Sequence, residues 1–401
     1  MKINTNLKKI EEILTRGVEK IYPGKEELKK VLLSGKKLRI YNGIDPTGKL
    51  HLGHSVVLKK LRQFQDLGHE VIVLIGDFTA RIGDPTDKLA SRKKLSEEQV
   101  KKNSANYKNL IGKILDLTKS NIRFLHNEKW TNKLKPEDML ELASYFTVSR
   151  LLERDMFQER IKQGKEIHVN EFLYPIFQAY DSVTMDVDME IGGNDQTFNM
   201  LAGRTLMKKI KNKEKFILTT KLLVDPAGKK MGKTEGNMIN LDENAENMYG
   251  QIMSWPDELI NLGFELCTNI PTEEIEKNKK ELKSKKLNPR DAKAKLAKEI
   301  VALYHGKPAA QKAEKEFNRI FKKKELPSEI PSIKIAAKNI NILDLLVKTK
   351  LASSKAEAKR LIEQKGVKID DEIQEDWRKN IPIKSVMIIQ VGKRKFVKIN
   401  Q

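Results

Sequence analysis

Cysteine is almost absent from this chain of 401 residues, Cys267 being the only one. A single thiol excludes an intrachain disulfide and a cysteine-built zinc site, and it suits a reducing compartment. Long apolar runs are missing too. Nothing approaches the roughly 20 consecutive apolar residues of a membrane-spanning helix, and Met1–Leu14 reads as an amphipathic Lys/Glu helix without an uninterrupted apolar stretch. A soluble cytoplasmic protein with no membrane partner is expected. No repeat at a solenoid or propeller period occurs, which excludes those architectures. Acidic residues are in deficit: Lys and Arg number 77 against 55 Asp and Glu, a formal charge of +22. Such a field attracts a polyanion and weakens with salt, so nucleic acid is the first partner to consider. Charge alone fits a lysine-rich, unpartnered surface equally well.

What is present suffices for two or three domains, with 39% apolar and 33% charged residues. Short apolar runs at Leu38–Gly43, Val71–Gly76, Ile122–His126 and Val187–Gly192 alternate with helical patterns at His51–Leu67, Ser96–Leu117, Pro136–Tyr145 and Asn170–Asp186. This rhythm predicts an α/β nucleotide-binding domain with a parallel sheet. After about Leu241 the strand signals fade into Lys/Glu-rich helices, including Arg290–Leu303 and Ala309–Phe321. A Pro-containing stretch, Glu325–Lys334, reads as a linker before a third unit near Asn339. The expected division is a Rossmann-like domain over 1–240, an α-helical domain over 241–324, a linker over 325–338 and a small α+β domain over 339–401.

The most informative stretch is Tyr41-Asn-Gly-Ile-Asp-Pro-Thr47, a strand end and turn, followed by His51-Leu-Gly-His54 at the start of a helix. Two histidines at i and i+3 share a helix face beside free backbone N–H groups, where a phosphate binds. Gly53 lets a nucleotide approach the backbone. Far downstream, Lys230-Met-Gly-Lys233-Thr234 offers two cations able to wrap a triphosphate. No serine or cysteine has a matched base, so catalysis by positioning and charge stabilisation is expected.

The two motifs, in this order, resemble the paired signatures of class I aminoacyl-tRNA synthetases. Leu52 stands where isoleucine is usual, and Gly232 and Thr234 stand where serines are. Within that class, Tyr41, Gly43, Asp45-Pro46-Thr47, Ile82-Gly83-Asp84-Pro85, Tyr174, Gln178, Asp181 and Gly192-Gly193-Asn194-Asp195-Gln196 resemble the tyrosyl-tRNA synthetase family, bacterial type. Tyr174, Gln178 and Asp181 fall at i, i+4 and i+7, on one side of a helix.

The resemblance implies that Tyr41 and Asp181 hydrogen-bond a substrate phenol, and that Tyr174, Gln178 and Asp84 hold its ammonium group. Gln196 would lie where carboxylate meets the α-phosphate. Gly43, Asp45, Gly53, His54, Gly193, Asp195 and Lys233 would hold ATP, with Gly193 and Asp195 at the ribose. Thr47, His51 and His54 would grip the phosphates from one side, and Lys88, Arg92, Lys230 and Lys233 from the other. Thr197 replaces a tryptophan frequent in the family. Mg²⁺ would accompany ATP, with no protein-bound metal, and L-tyrosine, ATP and tRNA(Tyr) would be the partners of a homodimer. The selective pocket would make an editing domain unnecessary, and no insertion long enough for one is present.

In the C-terminal unit, Leu345-Leu346-Val347 precedes Leu351-Ala-Ser-Ser-Lys-Ala-Glu-Ala-Lys-Arg-Leu-Ile362, and Gly366-Val-Lys-Ile369 follows. The order resembles a small RNA-binding module shared with a ribosomal protein, in which Ser353 would cap a helix presenting Lys355, Lys359 and Arg360 to RNA. Lys393-Arg394-Lys395 adds a second basic cluster. His69, His126, His168 and His305 are assigned no role, and Trp130, Trp255 and Trp377 are read as packing residues. Three rivals stay open. A tryptophanyl enzyme would need an indole pocket, a small-substrate nucleotidyltransferase would not use an RNA-binding tail, and a non-catalytic RNA-binding descendant would be expected to lose pocket residues.

Overall fold

The computed structural model describes residues 2–85, 95–225, 238–321, 330–384, 386–392 and 395–400. It divides into two compact units, Met1–Ala310 and Gln311–Gln401.

The first unit is built on a six-stranded sheet: β1 (Val18–Tyr22), β2 (Arg39–Ile44), β3 (Glu70–Ile75), β4 (Ile122–His126), β5 (Met189–Gly193) and β6 (Phe216–Thr220). The order is β1-β6-β5-β2-β3-β4. Strands β2 to β6 run parallel, and β1 closes one edge antiparallel to β6. Burial on both faces explains the near-continuous apolar run of β3, where five of six residues are buried. From β2 the chain winds outward through β3 and β4, then returns to the other side of β2 for β5 and β6. The order reverses between β2 and β5, and open α/β sheets bind ligands beyond the carboxyl ends of the strands at such a switch point.

Expected strands and helices recur with small changes of boundary. The helix expected over 96–117 is two, Glu97–Ser104 and Tyr107–Ile111, because Asn106 leaves helical geometry at φ −101°, ψ 1°. Strands β1 and β6 carry no clear signal: β1 mixes Glu19 and Lys20 into an edge, and β6 ends on Thr219 and Thr220. Beyond residue 241 come helices Ala245–Met253, Leu259–Cys267, Thr272–Lys283, Pro289–His305 and Lys307–Phe321. Arg16 ties the start of the chain to this helical part by donating to the carbonyls of Phe264, Glu265, Thr268 and Ile270. Cys267 is fully buried there, its thiol pushed up to about 11 by burial. Among the described residues no helix is long and apolar enough to cross a membrane.

The second unit contains β7 (Ser332–Lys334), β8 (Asn339–Asn341), β9 (Val367–Ile369), β10 (Glu372–Ile373), β11 (Asn380–Pro382), β12 (Val386–Val391) and β13 (Lys395–Asn400), with helices Ile342–Lys348 and Lys355–Glu363. One sheet has the order β10-β9-β12-β13-β7, and β8 pairs with β11. The helices bury Leu345, Leu346 and Ile362 with Ile389 and Ile399 of the sheet. Part of the stretch expected as linker belongs to this fold: β7 pairs with β13, and Ile335 is wholly buried. The α/β class, with a helical stretch and a small α+β unit, is the one observed.

Candidate active site

His51 ends the turn after β2 and caps helix Leu52–Asp66. Its Nδ1 accepts from Gly53 N–H at 3.1 Å, while the His54 Nδ1 accepts from His51 N–H at 3.2 Å. Both Nδ1 atoms are therefore acceptors, which puts each neutral ring's proton on Nε2. Burial takes His51 down to about 4; burial and the neighbouring His51 take His54 to about 3. At neutral pH the motif thus presents uncharged N–H donors at a helix N-terminus, a suitable face for phosphate oxygens. A Cβ at position 53 would fall 2.9 Å from the His51 ring, so glycine is needed for the two rings to stand 4.0 Å apart. The turn before them is propped by Asn103, which donates to the Pro46 carbonyl, and by Tyr107, which donates to that of Gly48. Thr47 lies in this turn, its N–H donating to the Asp45 carbonyl at 2.7 Å.

Two backbone bonds, Leu52 N–H to Ile239 O and Leu241 N–H to Leu50 O, fasten residues 239–241 alongside the histidine motif. Lys88, Arg92, Lys230, Gly232, Lys233 and Thr234 lie outside the described residues.

Helix Val169–Met185 brings Tyr174, Gln178 and Asp181 to the switch point between β2 and β5. Asp181, 2% exposed, accepts from Trp130 Nε1 at 2.8 Å and from Asn127 Nδ2 at 3.2 Å. Burial, with help from the charges of Asp45 and Glu190, raises it to about 8 against these two donors. Asn127 also donates to Thr79 Oγ1, which donates to Asp45 Oδ1 at 2.7 Å, and Tyr174 donates to Asp45 Oδ2 at 2.9 Å. One hydrogen-bonded chain thus runs from Asp181 to Tyr174. Tyr41, on β2 and wholly buried, bonds its hydroxyl to Ser182 Oγ at 2.9 Å. Burial and the charges of Glu190 and Asp181 push its pKa well above the usual value. Gln178 donates to Glu190 at 3.0 Å.

Asp84 faces Arg154 at 3.7 Å and accepts from Gln196 Nε2 at 2.8 Å. Arg154 is 6% exposed and stacks over Phe157 and Phe198. Asp195 follows β5, and burial and the Asp84 charge raise its pKa. At Gly193 a Cβ would come 2.9 Å from Leu222 and would overlap the Asp195 carboxylate. Gly43 lies on β2, two residues before Asp45. Among the described residues no three His, Cys, Asp or Glu are grouped to hold a metal ion.

Several participants carry no motif. Trp130, read as a packing residue, is a donor to Asp181, a role that depends on tertiary proximity. Asn127, Thr79, Ser182 and Arg154 are equally silent in the sequence. Glu190 does leave a signal: a carboxylate in the otherwise apolar, fully buried β5 needs a partner. That partner is Lys215, with which it is paired. His126 is held by Asp77 at 2.7 Å.

In the C-terminal unit the helix cap is Ser354, which accepts from Glu357 N–H at 3.2 Å, and not Ser353, which binds the Glu357 carboxylate. Lys355 pairs with Asp344, Lys359 lies 4.4 Å from the Trp377 ring centre, and Arg360 is exposed. Lys393 and Arg394 are outside the described residues.

A family model for class I tRNA synthetases (W and Y) matches residues 33–322. The fold and this match over residues 33–322 place the chain in the class I tRNA synthetases. A second model, for a tyrosine–tRNA ligase C-terminal domain, matches residues 322–399. Tyrosine–tRNA ligase of Thermotoga maritima is 45% identical over 391 residues, 97% of this chain and 96% of that one. The Carboxydothermus hydrogenoformans tyrosine–tRNA ligase is 46% identical over 404 residues, 98% of each. The chain belongs to the tyrosine–tRNA ligase family. Among solved structures, a C-terminally truncated mitochondrial tyrosyl-tRNA synthetase from Coccidioides posadasii matches with TM-score 0.62 and 25% identity, over 77% of this chain and 90% of that one. The fold is also that of a tyrosyl-tRNA synthetase complexed with L-tyrosine from Archaeoglobus fulgidus, with TM-score 0.60 and 23% identity, over 77% of this chain and all of that one.

Proposed function

We propose that the chain activates L-tyrosine with ATP, giving tyrosyl-adenylate and pyrophosphate, and then transfers tyrosine to the 3′ end of tRNA(Tyr). The observation that carries the choice of amino acid is Asp181, a carboxylate buried at the switch point with one donor on each oxygen. A carboxylate has about four lone-pair sites, so a substrate phenol adds a further donor to a group already oriented. Phenylalanine would bury the same groups without that bond and is disfavoured. Tyr41 serves the phenol from the other side. Tyr174, Gln178 and Asp84 receive the ammonium group, with Arg154 and Gln196 steering Asp84.

The tyrosine carboxylate attacks the α-phosphorus and pyrophosphate departs. Thr47 and the Nε2–H donors of His51 and His54 meet phosphate oxygens, while Gly43, Asp45, Gly53, Gly193 and Asp195 accommodate the nucleoside. Lys88, Arg92, Lys230 and Lys233 supply positive charge for the leaving group. ATP enters as its Mg²⁺ complex, the metal held mainly by phosphate oxygens, while the neutral imidazoles offer those oxygens only their Nε2–H donors. A terminal tRNA hydroxyl then attacks the acyl carbon and AMP leaves. The helical stretch 241–324 and the basic face of Lys355, Lys359 and Arg360 bind the tRNA of a cytoplasmic homodimer.

Calorimetry on Asp181→Ala tests the pocket. The tyrosine dissociation constant should rise far more than that of ATP. Intact tyrosine binding would reduce Asp181 to a structural role.

A further inference from the structure

Behind Tyr41 and Gln178 lies a charged pair that none of these assignments uses. Lys215 precedes β6 and is 0% exposed; Glu190, on β5, is 2% exposed. They form an ion pair, and Lys215 Nζ also donates to Ser182 Oγ at 2.8 Å. Ser182 Oγ is in turn 2.9 Å from the Tyr41 hydroxyl, and Gln178 Nε2 donates to the other Glu190 oxygen at 3.0 Å. The space is shaped for the ammonium. Gly203, on helix Thr197–Lys211, abuts Ala179, and a Cβ there would overlap Lys215 Nζ and fall 2.9 Å from Ser182 Oγ.

Burying two opposite charges is costly and offers little net stability. What it does offer here is polarity. An ammonium only donates, so Ser182 accepts from Lys215, which makes its oxygen a poorer acceptor for Tyr41 and favours the orientation in which Ser182 donates to Tyr41. In that orientation Tyr41 accepts from Ser182, and its proton is left for another acceptor, Glu190 in the empty site or the phenol oxygen of a bound substrate. A carboxylate only accepts, so Gln178 must turn its NH₂ toward Glu190 and its carbonyl oxygen away. A phenol oxygen and a substrate ammonium need just these two settings.

We propose that the buried Lys215–Glu190 pair is a specificity-determining positioning device, fixing Tyr41 as a hydrogen-bond donor and Gln178 as an acceptor toward the bound tyrosine. The proposal rests on the pocket reading above. Without Lys215 the Ser182–Tyr41 bond is free to reverse, Tyr41 spends its proton on Ser182, and the site loses part of its demand for a hydroxyl.

The test is tyrosine-dependent pyrophosphate exchange by the charge-neutral double variant Lys215→Met/Glu190→Gln and by Ser182→Ala, with Tyr41→Phe alone and in the double-variant background. Preference for tyrosine over phenylalanine in kcat/KM should fall about tenfold in the double variant, the size of one hydrogen bond. The change should sit in the tyrosine KM, with the ATP KM unmoved. Adding Tyr41→Phe to the double variant should cost little more, because the proton it deletes is already spent on Ser182 there. Should the double variant fail to fold, Ser182→Ala still decides: with that acceptor gone the preference should stay within twofold, and a tenfold loss would overturn the relay. If Tyr41→Phe lowers the preference while the double variant leaves it within twofold, the relay is wrong and the pocket stands. If Tyr41→Phe also leaves it unchanged, the pocket reading fails and the relay with it.

Discussion

Replacing Trp130 by phenylalanine keeps a large ring against the pocket but removes the indole N–H that lies 2.8 Å from Asp181 Oδ1. A hydrogen bond to a charged group contributes about 1.5–3 kcal/mol, and one pH unit of pKa corresponds to about 1.4 kcal/mol. Loss of this donor should therefore carry Asp181 about one to two pH units above its present value of about 8. If only the ionised carboxylate accepts the phenol proton, the tyrosine KM at pH 7 rises about 10- to 100-fold in the variant. It should then fall about tenfold per unit as the pH is raised, since each unit ionises ten times more of the protein. The assay is pyrophosphate exchange at saturating ATP between pH 6.5 and 8.5. A tyrosine KM raised equally at every pH, or raised less than twofold, would refute the coupling between Trp130 and the charge on Asp181.

Lys233→Ala should slow adenylate formation by the equivalent of a few kcal/mol while leaving tyrosine affinity nearly unchanged, because its charge acts on departing pyrophosphate; an unchanged single-turnover rate would sink that role. A chain ending at Phe321, ahead of β7, should still exchange pyrophosphate but aminoacylate poorly, with weaker tRNA binding and a shallower salt dependence. Full aminoacylation at low tRNA by the shortened chain would contradict it. His51 and His54 have folded values of about 4 and about 3, below the unfolded value of about 6.5. Their contribution is complete above about pH 6.5 and is lost as the pH falls toward 4, at up to about 1.4 kcal/mol per unit for each. Melting temperatures across that window should fall, and less steeply for His54→Gln; parallel curves would exclude the histidines as the cause.

The central strands were legible because burial on both faces demands uninterrupted apolar residues, as in β3. The edge strand β1 is exposed to water, so Glu19 and Lys20 hide it. The pocket helix was legible from Tyr174, Gln178 and Asp181 at helical spacing. Their settings were not, since Trp130, Asn127 and Lys215 approach only after strands distant in sequence are paired. The resemblance to a family supplied roles for residues such as Tyr41 and Asp195 that spacing alone does not distinguish. The linker boundary was misplaced because Ser332–Lys334 is too short to show alternation, and only its pairing with β13 makes it a strand.

The bonds linking Asp181 through Asn127, Thr79 and Asp45 to Tyr174 have an evolutionary consequence. Residues that polarise one another do not change independently. A substitution suited to a new side chain at the proposed phenol end disturbs the groups proposed to face the ammonium, and a later repair at Thr79 or Asn127 helps only if the first change is already in place. Drift toward another amino acid by single steps is thus obstructed by epistasis, and redesign of the pocket calls for libraries that vary these five positions together.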